Sequence, residues 1–321
     1  MQRLKKFWKG IKQNWYTVFK VALSRPQKVL LFKVSALLSL VRWYNIFFLA
    51  LAQYLAVVFI LTNPAEWFQT LADFKLHFIV FASLFSVAGG YIINNFYDLE
   101  KDLINRPNKT LYEKILKQST ALRLYFLFTT VGVLMAGTVS FNVFLFFAGF
   151  NVALWLYSHK LKKITFIGNL MAALLSITPF FAIFLYYNLQ DLLILTYVSF
   201  ILLIIFIREI VKDLEALKGD VIVGYPTLPV RLGVRKTKIL IMAFTLTGIA
   251  PAAAIFYKTH YSGISYYLTL GLAGLCLGAG LLAFADKRHH FQYLNHLYRF
   301  MIIAGIFGLI LFSITAPPNG Q

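Results

Sequence analysis

The chain reads YIINNFYDLEKDLINRPNKT from Tyr91 to Thr110, at the end of a strongly apolar segment. Carboxylates that approach a bilayer core without a partner are costly, so a cluster of acids at this place needs a functional explanation. Asn94, Asp98 and Asp102 are spaced four and four, which places them on one helical face. Such an oxygen-rich face suits Mg²⁺, which binds through one or two carboxylates and the phosphates of a substrate. The alternative is a cytoplasmic helix end whose acids pair with Lys101 and Arg106.

A second acidic stretch runs from Arg208 to Gly233 and reads REIVKDLEALKGDVIVGYPTLPVRLG, again at the end of an apolar segment. Asp213 and Asp220 are two helical turns apart, so they share a face if the helix continues past Gly219. We expect the two stretches to form two halves of one site for a metal-bound polyphosphate. Eight of the twelve acidic residues fall in or beside the two stretches: Asp98, Glu100, Asp102, Glu113, Glu209, Asp213, Glu215 and Asp220.

Composition excludes a soluble globular domain. The 321 residues are 60% hydrophobic and only 13% charged, and the mean hydropathy is +0.72. The single Cys276 excludes an intrachain disulfide. We therefore predict an all-α polytopic membrane protein.

The apolar segments predict nine transmembrane helices in a bundle, because roughly 20 apolar residues cross a bilayer core. The segments at 121–139 and 141–158 are nearly continuous, and their separation depends on a turn between Gly137 and Asn142. The expected spans are roughly 36–60, 76–96, 121–139, 141–158, 165–187, 191–211, 238–257, 264–285 and 298–315.

Basic residues predict the orientation of this bundle. With the N-terminus in the cytoplasm, 29 of the 31 Lys and Arg residues lie on the cytoplasmic side, and only Lys75 and Lys258 do not. The C-terminus is then outside, and both acidic stretches face the cytoplasm. The net charge of +19 is thus a topology signal rather than evidence for nucleic-acid binding. We expect an integral protein of a bacterial or archaeal cell membrane.

The first 34 residues predict a separate basic, amphipathic surface helix, followed by a transmembrane domain over 35–321. Apolar residues recur at helical spacing between Leu4 and Ala22, and lysines occupy much of the remainder. This pattern suits a helix on an anionic membrane surface, and a disordered basic tail is the alternative.

Two smaller features lie on the same predicted side. Arg42 and Asn45 are three residues apart and can face the bundle interior; an ordinary snorkelling arginine is the alternative. Tyr157 and Lys162 close the fourth span, where the lysines can equally serve as plain topology markers.

The first stretch resembles the signature of the UbiA-type intramembrane prenyltransferase family, N-D-x-x-D-x-x-x-D followed by N-x-P and a basic residue. NNFYDLEKD and NRPNK stand at those places here. The second stretch is most similar to the digeranylgeranylglyceryl-phosphate synthase type within the family. RWYN at Arg42 to Asn45, LYSHKLK at Leu156 to Lys162, and Gly168-Asn169 also match. Asn95 and Ala216 stand where these patterns usually have aspartates, so the second metal is expected to have fewer carboxylates.

The resemblance implies transfer of a prenyl group from its diphosphate to a lipophilic acceptor, with two Mg²⁺ ions. Aromatic side chains are expected to face the allylic cation. The implied substrates are geranylgeranyl diphosphate as donor and geranylgeranylglyceryl phosphate as acceptor. The metal ligands would be Asn94, Asp98 and Asp102 for one ion, and Asp213 and Asp220 for the other. The phosphates would be held by Arg106, Lys109, Lys162 and Lys212.

Two alternatives to this function remain. The acceptor could be an aromatic quinone precursor, a chlorophyll-type or a haem-type molecule, although the M-x-R-T run of the haem-modifying relatives is absent. The protein could instead be a secondary transporter of an anionic solute. Transporters place charged residues near the bilayer midplane, whereas these acids lie at helix ends.

Overall fold

The computed structural model of the protein describes residues 24–62, 64–187, 192–259 and 263–311. These residues are almost entirely helical, and no β-strand occurs among them, which confirms the all-α prediction. The helices are α1 (Arg25–Leu40), α2 (Trp43–Ala56), α3 (Trp67–Leu71), α4 (Phe74–Asn105), α5 (Pro107–Glu113), α6 (Gln118–Val139), α7 (Phe141–His159), α8 (Ile167–Tyr187), α9 (Leu192–Val223), α10 (Leu228–Thr247), α11 (Ile249–Thr259), α12 (Gly263–Ala283) and α13 (Arg288–Gly308).

Within the described residues, eight helical segments are long and apolar enough to cross a membrane. They correspond to the first eight predicted spans. The ninth, at 298–315, overlaps α13 and runs beyond the described residues, so the count of nine and the orientation of the termini stay predictions. The predicted surface helix lies mostly in residues 1–23, outside the described part of the chain. The eight segments are Trp43–Leu61, Phe74–Asn105, Gln118–Val139, Phe141–Lys163, Ile167–Tyr187, Ile194–Val223, Leu228–Ala254 and Ser265–Ala283.

The predicted start of the first span at residue 36 is wrong, because the backbone breaks at Arg42. This residue adopts a left-handed conformation with φ of 53°, which separates α1 from α2. The strain of such a conformation, about 1–3 kcal/mol, persists only where the surroundings hold it. Here the guanidinium of Arg42 lies 4.8 Å from the ring centre of Tyr91 on α4. Hydropathy cannot detect a break that depends on a contact with a distant residue.

The predicted turn between the third and fourth spans is confirmed. α6 ends at Val139, and the hydroxyl of Ser140 accepts a hydrogen bond from the backbone N–H of Val143 at 3.2 Å. This N-terminal cap starts α7 at Phe141, because it satisfies a backbone donor that has no partner within the helix.

α4 and α9, 32 residues each, are the central helices of the bundle. α4 packs against α2, α6, α7 and α8, around a core that includes Ile79 and Phe147. α9 packs against α8, α10, α11 and α13, around a core that includes Phe200 and Tyr298. Each acidic stretch therefore lies at the end of the helix that organises its half of the molecule.

The two central helices meet at Asn105 and Gly219. The Asn105 side chain accepts a hydrogen bond from the backbone N–H of Gly219 at 3.2 Å and donates one to the carbonyl of Ala216 at 3.3 Å. A Cβ atom at position 219 would overlap the Asn105 amide, so only glycine permits this approach. α9 continues past Gly219 to Val223, and Asp213 and Asp220 lie on one uninterrupted helix.

Candidate active site

One cavity of about 1120 Å³ opens inside the bundle, with a polar end and an apolar end. Its apolar end is lined by residues near the far ends of the helices, among them Ile60, Phe184, Ile194 and Leu309. Its polar end contains every site residue that the sequence predicts except Asp220. These residues are Arg42, Asn45, Asn94, Asp98, Asp102, Arg106, Lys109, Tyr157, Lys162, Lys212 and Asp213.

The α4 wall presents an asparagine, an aspartate and a lysine in mutual contact. The Asn94 amide donates to the Asp98 carboxylate at 3.0 Å. The ammonium of Lys162 donates to Asp98 at 2.7 Å and to the Asn94 side-chain oxygen at 3.3 Å. Lys162 belongs to the short 3₁₀ turn Leu161–Lys163 that follows α7. The predicted four-residue spacing thus puts Asn94 and Asp98 against one cation.

Asp102 lies one turn further along α4 and differs from Asp98. Its side chain lines the cavity, and no hydrogen bond or ion pair joins its carboxylate to another described residue. A partly buried carboxylate without a partner is unfavourable unless it binds a cation or a proton. Asp102 is therefore available to a ligand in the cavity.

The α9 wall holds its two aspartates differently. Asp213 lines the cavity and accepts a hydrogen bond from the Asn169 amide at 2.7 Å. Asp220 is fully buried, and its carboxylate lies 2.6 Å from the ammonium of Lys101 and 3.2 Å from the hydroxyl of Thr227. The structure brings Asp213 to the cavity wall but places Asp220 behind Lys101.

Sequence reasoning missed Lys101, Asn169 and Thr227 as site residues. Lys101 appeared only as a neutralising neighbour of the first stretch, yet its side chain bridges α4 to Asp220 on α9. Asn169 belongs to the matched Gly168-Asn169 pair, and Thr227 belongs to the second acidic stretch, so both lie in segments that the sequence analysis had already singled out.

Tyr225 lies beside this bridge, in the α9–α10 connection. Its ring centre is 5.2 Å from the ammonium of Lys101 and 5.7 Å from that of Lys163. Burial raises the pKa of the Tyr225 phenol to about 12, so the ring stays neutral at physiological pH. Its face can therefore help to hold both cations without a negative charge.

The departure at Asn95 has a structural counterpart outside the main cavity. The Asn95 amide donates to the carboxylate of Glu113 at 3.1 Å, and Ser39 donates to the same carboxylate at 2.9 Å. An aspartate at position 95 would face Glu113 with a like charge. The Asn95 side chain is therefore a hydrogen-bond donor to Glu113 rather than a metal ligand.

The departure at Ala216 removes a side chain from the cavity wall. Ala216 lines the cavity between Asp213 and Asp220. Glu215 does not replace the missing acid, because its carboxylate accepts from Asn295 at 2.9 Å and lies 3.7 Å from Arg106.

Three further predicted residues also line the cavity, and each has a partner among the described residues. Asn45 donates to the Tyr91 hydroxyl at 3.0 Å, so it shares Tyr91 with Arg42. Lys109 is 3.5 Å from Glu113, and Lys212 is 2.5 Å from Glu209.

The polar end fits a hard cation that arrives together with a polyphosphate. In the described part of the chain, no three acidic, histidine or cysteine side chains form a ready metal cluster. The acids of the two walls are held by Lys162, Lys101 and Asn169 instead, and Asp102 has no such partner. Carboxylate and amide oxygens from both walls could supply some ligands of a cation such as Mg²⁺, and phosphate oxygens could supply the others.

A cavity with a carboxylate–lysine end and a deep apolar end, inside a helical membrane bundle, suits an amphiphilic ligand with a charged head group. The model of the UbiA prenyltransferase family matches residues 54–301, and the chain belongs to this family. It is a membrane prenyltransferase.

Similar proteins share most of the chain. The digeranylgeranylglyceryl phosphate synthase of Sulfurisphaera tokodaii is 29% identical over 294 residues, which cover 89% of this chain and 99% of that protein. The protein of the same name from Thermococcus sibiricus is 31% identical over 211 residues, covering 65% and 74%.

Solved structures share the fold. A UbiA homolog from Archaeoglobus fulgidus bound to GPP and Mg²⁺ superposes with a TM-score of 0.61 at 17% identity, covering 86% of this chain and 99% of that one. A structure of a digeranylgeranylglyceryl phosphate synthase superposes with a TM-score of 0.60 at 20% identity, covering 87% and 99%.

Proposed function

We propose that the protein transfers a geranylgeranyl group from its diphosphate to geranylgeranylglyceryl phosphate, with Mg²⁺, and so forms an ether lipid. The observation that carries this proposal is a single cavity that joins carboxylates and lysines at one end to an apolar channel at the other. The digeranylgeranylglyceryl phosphate synthases among its relatives support the choice of acceptor.

The depth of the apolar end supports a long prenyl tail. Ile194 and Asp213 both line the cavity and lie on α9, so they are roughly 28 Å apart along the helix axis. This length approaches the hydrocarbon thickness of a bilayer, about 30 Å. A channel of this depth suits a tail of several isoprene units better than a single unit.

The contacts of the two walls support an assignment of the metal ligands. We assign Asn94, Asp98 and Asp102 to one Mg²⁺ and Asp213 to a second. Asp220 reaches the second ion only if Lys101 moves aside, because the ammonium of Lys101 lies 2.6 Å from its carboxylate. When bound with the diphosphate, Mg²⁺ neutralises the charge of the leaving group.

The chain's own residues then assist the reaction in three ways. Lys162 and Lys101 add positive charge where the diphosphate leaves, and Arg106 stands at the same end. The apolar channel binds the tail and keeps water from the reactive carbon. The face of Tyr157, which lines the cavity, can stabilise positive charge on that carbon. The allylic C–O bond breaks and its electron pair leaves with the diphosphate; the acceptor hydroxyl oxygen forms the new C–O bond, and its proton passes to the released diphosphate.

One assay tests the proposal. The purified protein is incubated with labelled geranylgeranyl diphosphate, Mg²⁺ and one of three acceptors: geranylgeranylglyceryl phosphate, its dephosphorylated form or an aromatic quinone precursor. We expect a product whose mass equals the acceptor plus one geranylgeranyl group, formed fastest with the phosphorylated glyceryl ether. Prenylation of only the aromatic acceptor would contradict the proposal.

A further inference from the structure

Four basic side chains form a second charged group on the cavity wall, which we call the basic cluster: Arg42, Arg208, Lys212 and Arg299. They come from the α1–α2 break, from α9 and from α13. Arg208 lies within Coulombic range of Arg42 and Arg299, and Lys212 lies within range of Arg208 and Arg42, so like charges gather on this part of the wall.

The acids nearby do not balance this charge. Glu209 lies 2.5 Å from Lys212 and 3.6 Å from Arg208, and Asp102 attracts Arg42 from the α4 wall. Four cations therefore face two carboxylates. Arg208 is only 18% exposed and Glu209 only 13%, so water screens the excess poorly. An anion in the cavity would remove this repulsion.

The arginines are held in a way that suits a phosphate. The guanidinium of Arg42 lies 4.8 Å from the ring centre of Tyr91, and that of Arg299 lies 4.9 Å from the ring centre of Tyr44. Arg299 also donates to the Tyr44 hydroxyl at 3.2 Å. The Nε atom of Arg208 is buried and has no hydrogen-bond partner among the described residues. A planar guanidinium that is held against an aromatic ring still presents its N–H groups. Two of these groups can donate hydrogen bonds to two oxygens of one phosphate.

We propose that the basic cluster binds the phosphate of the acceptor lipid directly, without a metal ion. This inference rests on the proposed function and deepens it. The acidic walls attract a diphosphate only when cations accompany it. The basic cluster has an excess of positive charge, so it can bind a phosphate without an added cation. The two subsites adjoin at Arg42 and Asp102, which brings the acceptor headgroup beside the leaving group.

A binding experiment without turnover tests the subsite. Equilibrium binding of geranylgeranylglyceryl phosphate and of its dephosphorylated form is measured in EDTA, without donor. The wild-type protein should prefer the phosphorylated lipid. Arg208→Gln and Arg299→Gln should each weaken its binding about tenfold or more, because a hydrogen bond to a charged group contributes about 1.5–3 kcal/mol. Binding of the dephosphorylated lipid should not change.

Two further variants separate charge from folding. Arg299→Lys keeps the positive charge and should retain part of the preference for the phosphorylated lipid. Arg235→Gln removes an exposed arginine from α10 and serves as the matched control, with unchanged binding. Equal weakening for both lipids, or no weakening in either glutamine variant, would overturn the subsite.

Steady-state rates distinguish failure of this inference from failure of the proposed function. The glutamine variants should raise the KM for the phosphorylated acceptor about tenfold and leave the KM for the donor unchanged. A raised donor KM with an unchanged acceptor KM would assign the cluster to the diphosphate and overturn the inference. If phosphate-dependent binding is present but no transfer occurs, the subsite holds and the proposed function fails.

Discussion

Three aspartates at or behind the polar end have different partners although the sequence presents them alike. Asp98 is held by Lys162, Asp220 is held by Lys101 and lies behind it, and Asp102 has no partner among the described residues. Removing the charge of Asp98 or Asp220 therefore leaves a lysine unpaired. A loss of activity could then come from the lost metal ligand or from the unpaired lysine. Removing the charge of Asp102 does not have this consequence.

The first prediction tests Asp102 and Asp98 as metal ligands. Asp102→Asn and Asp98→Asn should each lower kcat/KM about 100-fold or more, because each removes an anionic oxygen that helps to hold the charged leaving group. Both proteins should elute like the wild type in detergent, but only Asp102→Asn should also melt like it, because Asp98→Asn leaves the buried Lys162 without its carboxylate. Asp286→Asn is the control, since Asp286 is 83% exposed, pairs with Lys238 and does not line the cavity. Near wild-type turnover in Asp102→Asn would remove Asp102 from the site.

The second prediction concerns Ala216. This residue lines the cavity, three positions after Asp213 on α9, so a carboxylate there should add a ligand on the second wall. Ala216→Asp should lower the Mg²⁺ concentration needed for half-maximal rate. Like-charge repulsion with Asp213 opposes this gain unless the metal compensates for it.

Titration of Mg²⁺ against the initial rate decides between these two effects. Ala216→Asn is the matched control, because it adds similar volume without the charge. An unchanged or higher Mg²⁺ requirement in Ala216→Asp would show that the missing acid does not limit metal binding.

At the level of elements, the geometry of the site depends on how α4 crosses α9. Asn105 bonds to the backbone of Ala216 and Gly219, and Arg288 of α13 donates to the Asn105 carbonyl at 2.7 Å. One asparagine thus joins three helices just beyond the acids. This crossing sets the distance between the two carboxylate walls.

The third prediction tests this crossing. Gly219→Ala should lower the melting temperature and the turnover, because the new methyl group would overlap the Asn105 amide. Overpacking of this kind costs about 1–3 kcal/mol, which exceeds the gain of about 1 kcal/mol in helix propensity. Gly149→Ala on α7 is the matched control, since no atom lies within 4 Å of its added Cβ. A protein as stable as wild type after Gly219→Ala would contradict the close crossing.

Local signals explain which elements were predictable. The all-α class, the first eight spans and the turn at Ser140 depend on hydropathy and on a capping residue, both of which are local in sequence. Arg42, where α1 and α2 separate, contacts Tyr91, and the buried Asp220 pairs with Lys101. These contacts join residues that are far apart in the chain, and no spacing rule reveals them. The site was predicted as a set of residues, but its division into separately held acids was not.

At the level of the whole molecule, both acidic stretches lie at one end of one bundle. Their helices, α4 and α9, end beside each other, and the 3₁₀ turn with Lys162 lies at the same end. Two spans separate the α4 end from that turn, and two more separate the turn from the α9 end. An even number of crossings returns the chain to the same side, as the distribution of Lys and Arg requires.

The last prediction places this end in the cytoplasm. Reporters fused after Lys109, Lys163 and Gly224 should read as cytoplasmic, because nearly all Lys and Arg residues fall on that side in the predicted topology. Reporters after Ala72 and Ser140, which lie at the opposite end of the described helices, should read as external and serve as controls.

A reporter after Gln321, outside the described residues, should also read as external if the ninth predicted segment crosses the membrane. A glycosylation or phosphatase reporter is active only outside the cytoplasm, and the fluorescent reporter is active only inside it. The two kinds of reporter therefore give opposite signals at each position, and every site is tested twice. A cytoplasmic reading at Ser140 would mean that α6 and α7 do not cross separately. A cytoplasmic reading at Gln321 alone would leave the eight described spans in place and show that 298–315 does not cross. The described part of α13 already extends from Arg288, which bonds to Asn105 at the end of α4, to Gly305, which bonds to Tyr197 near the start of α9, so we expect this segment to cross.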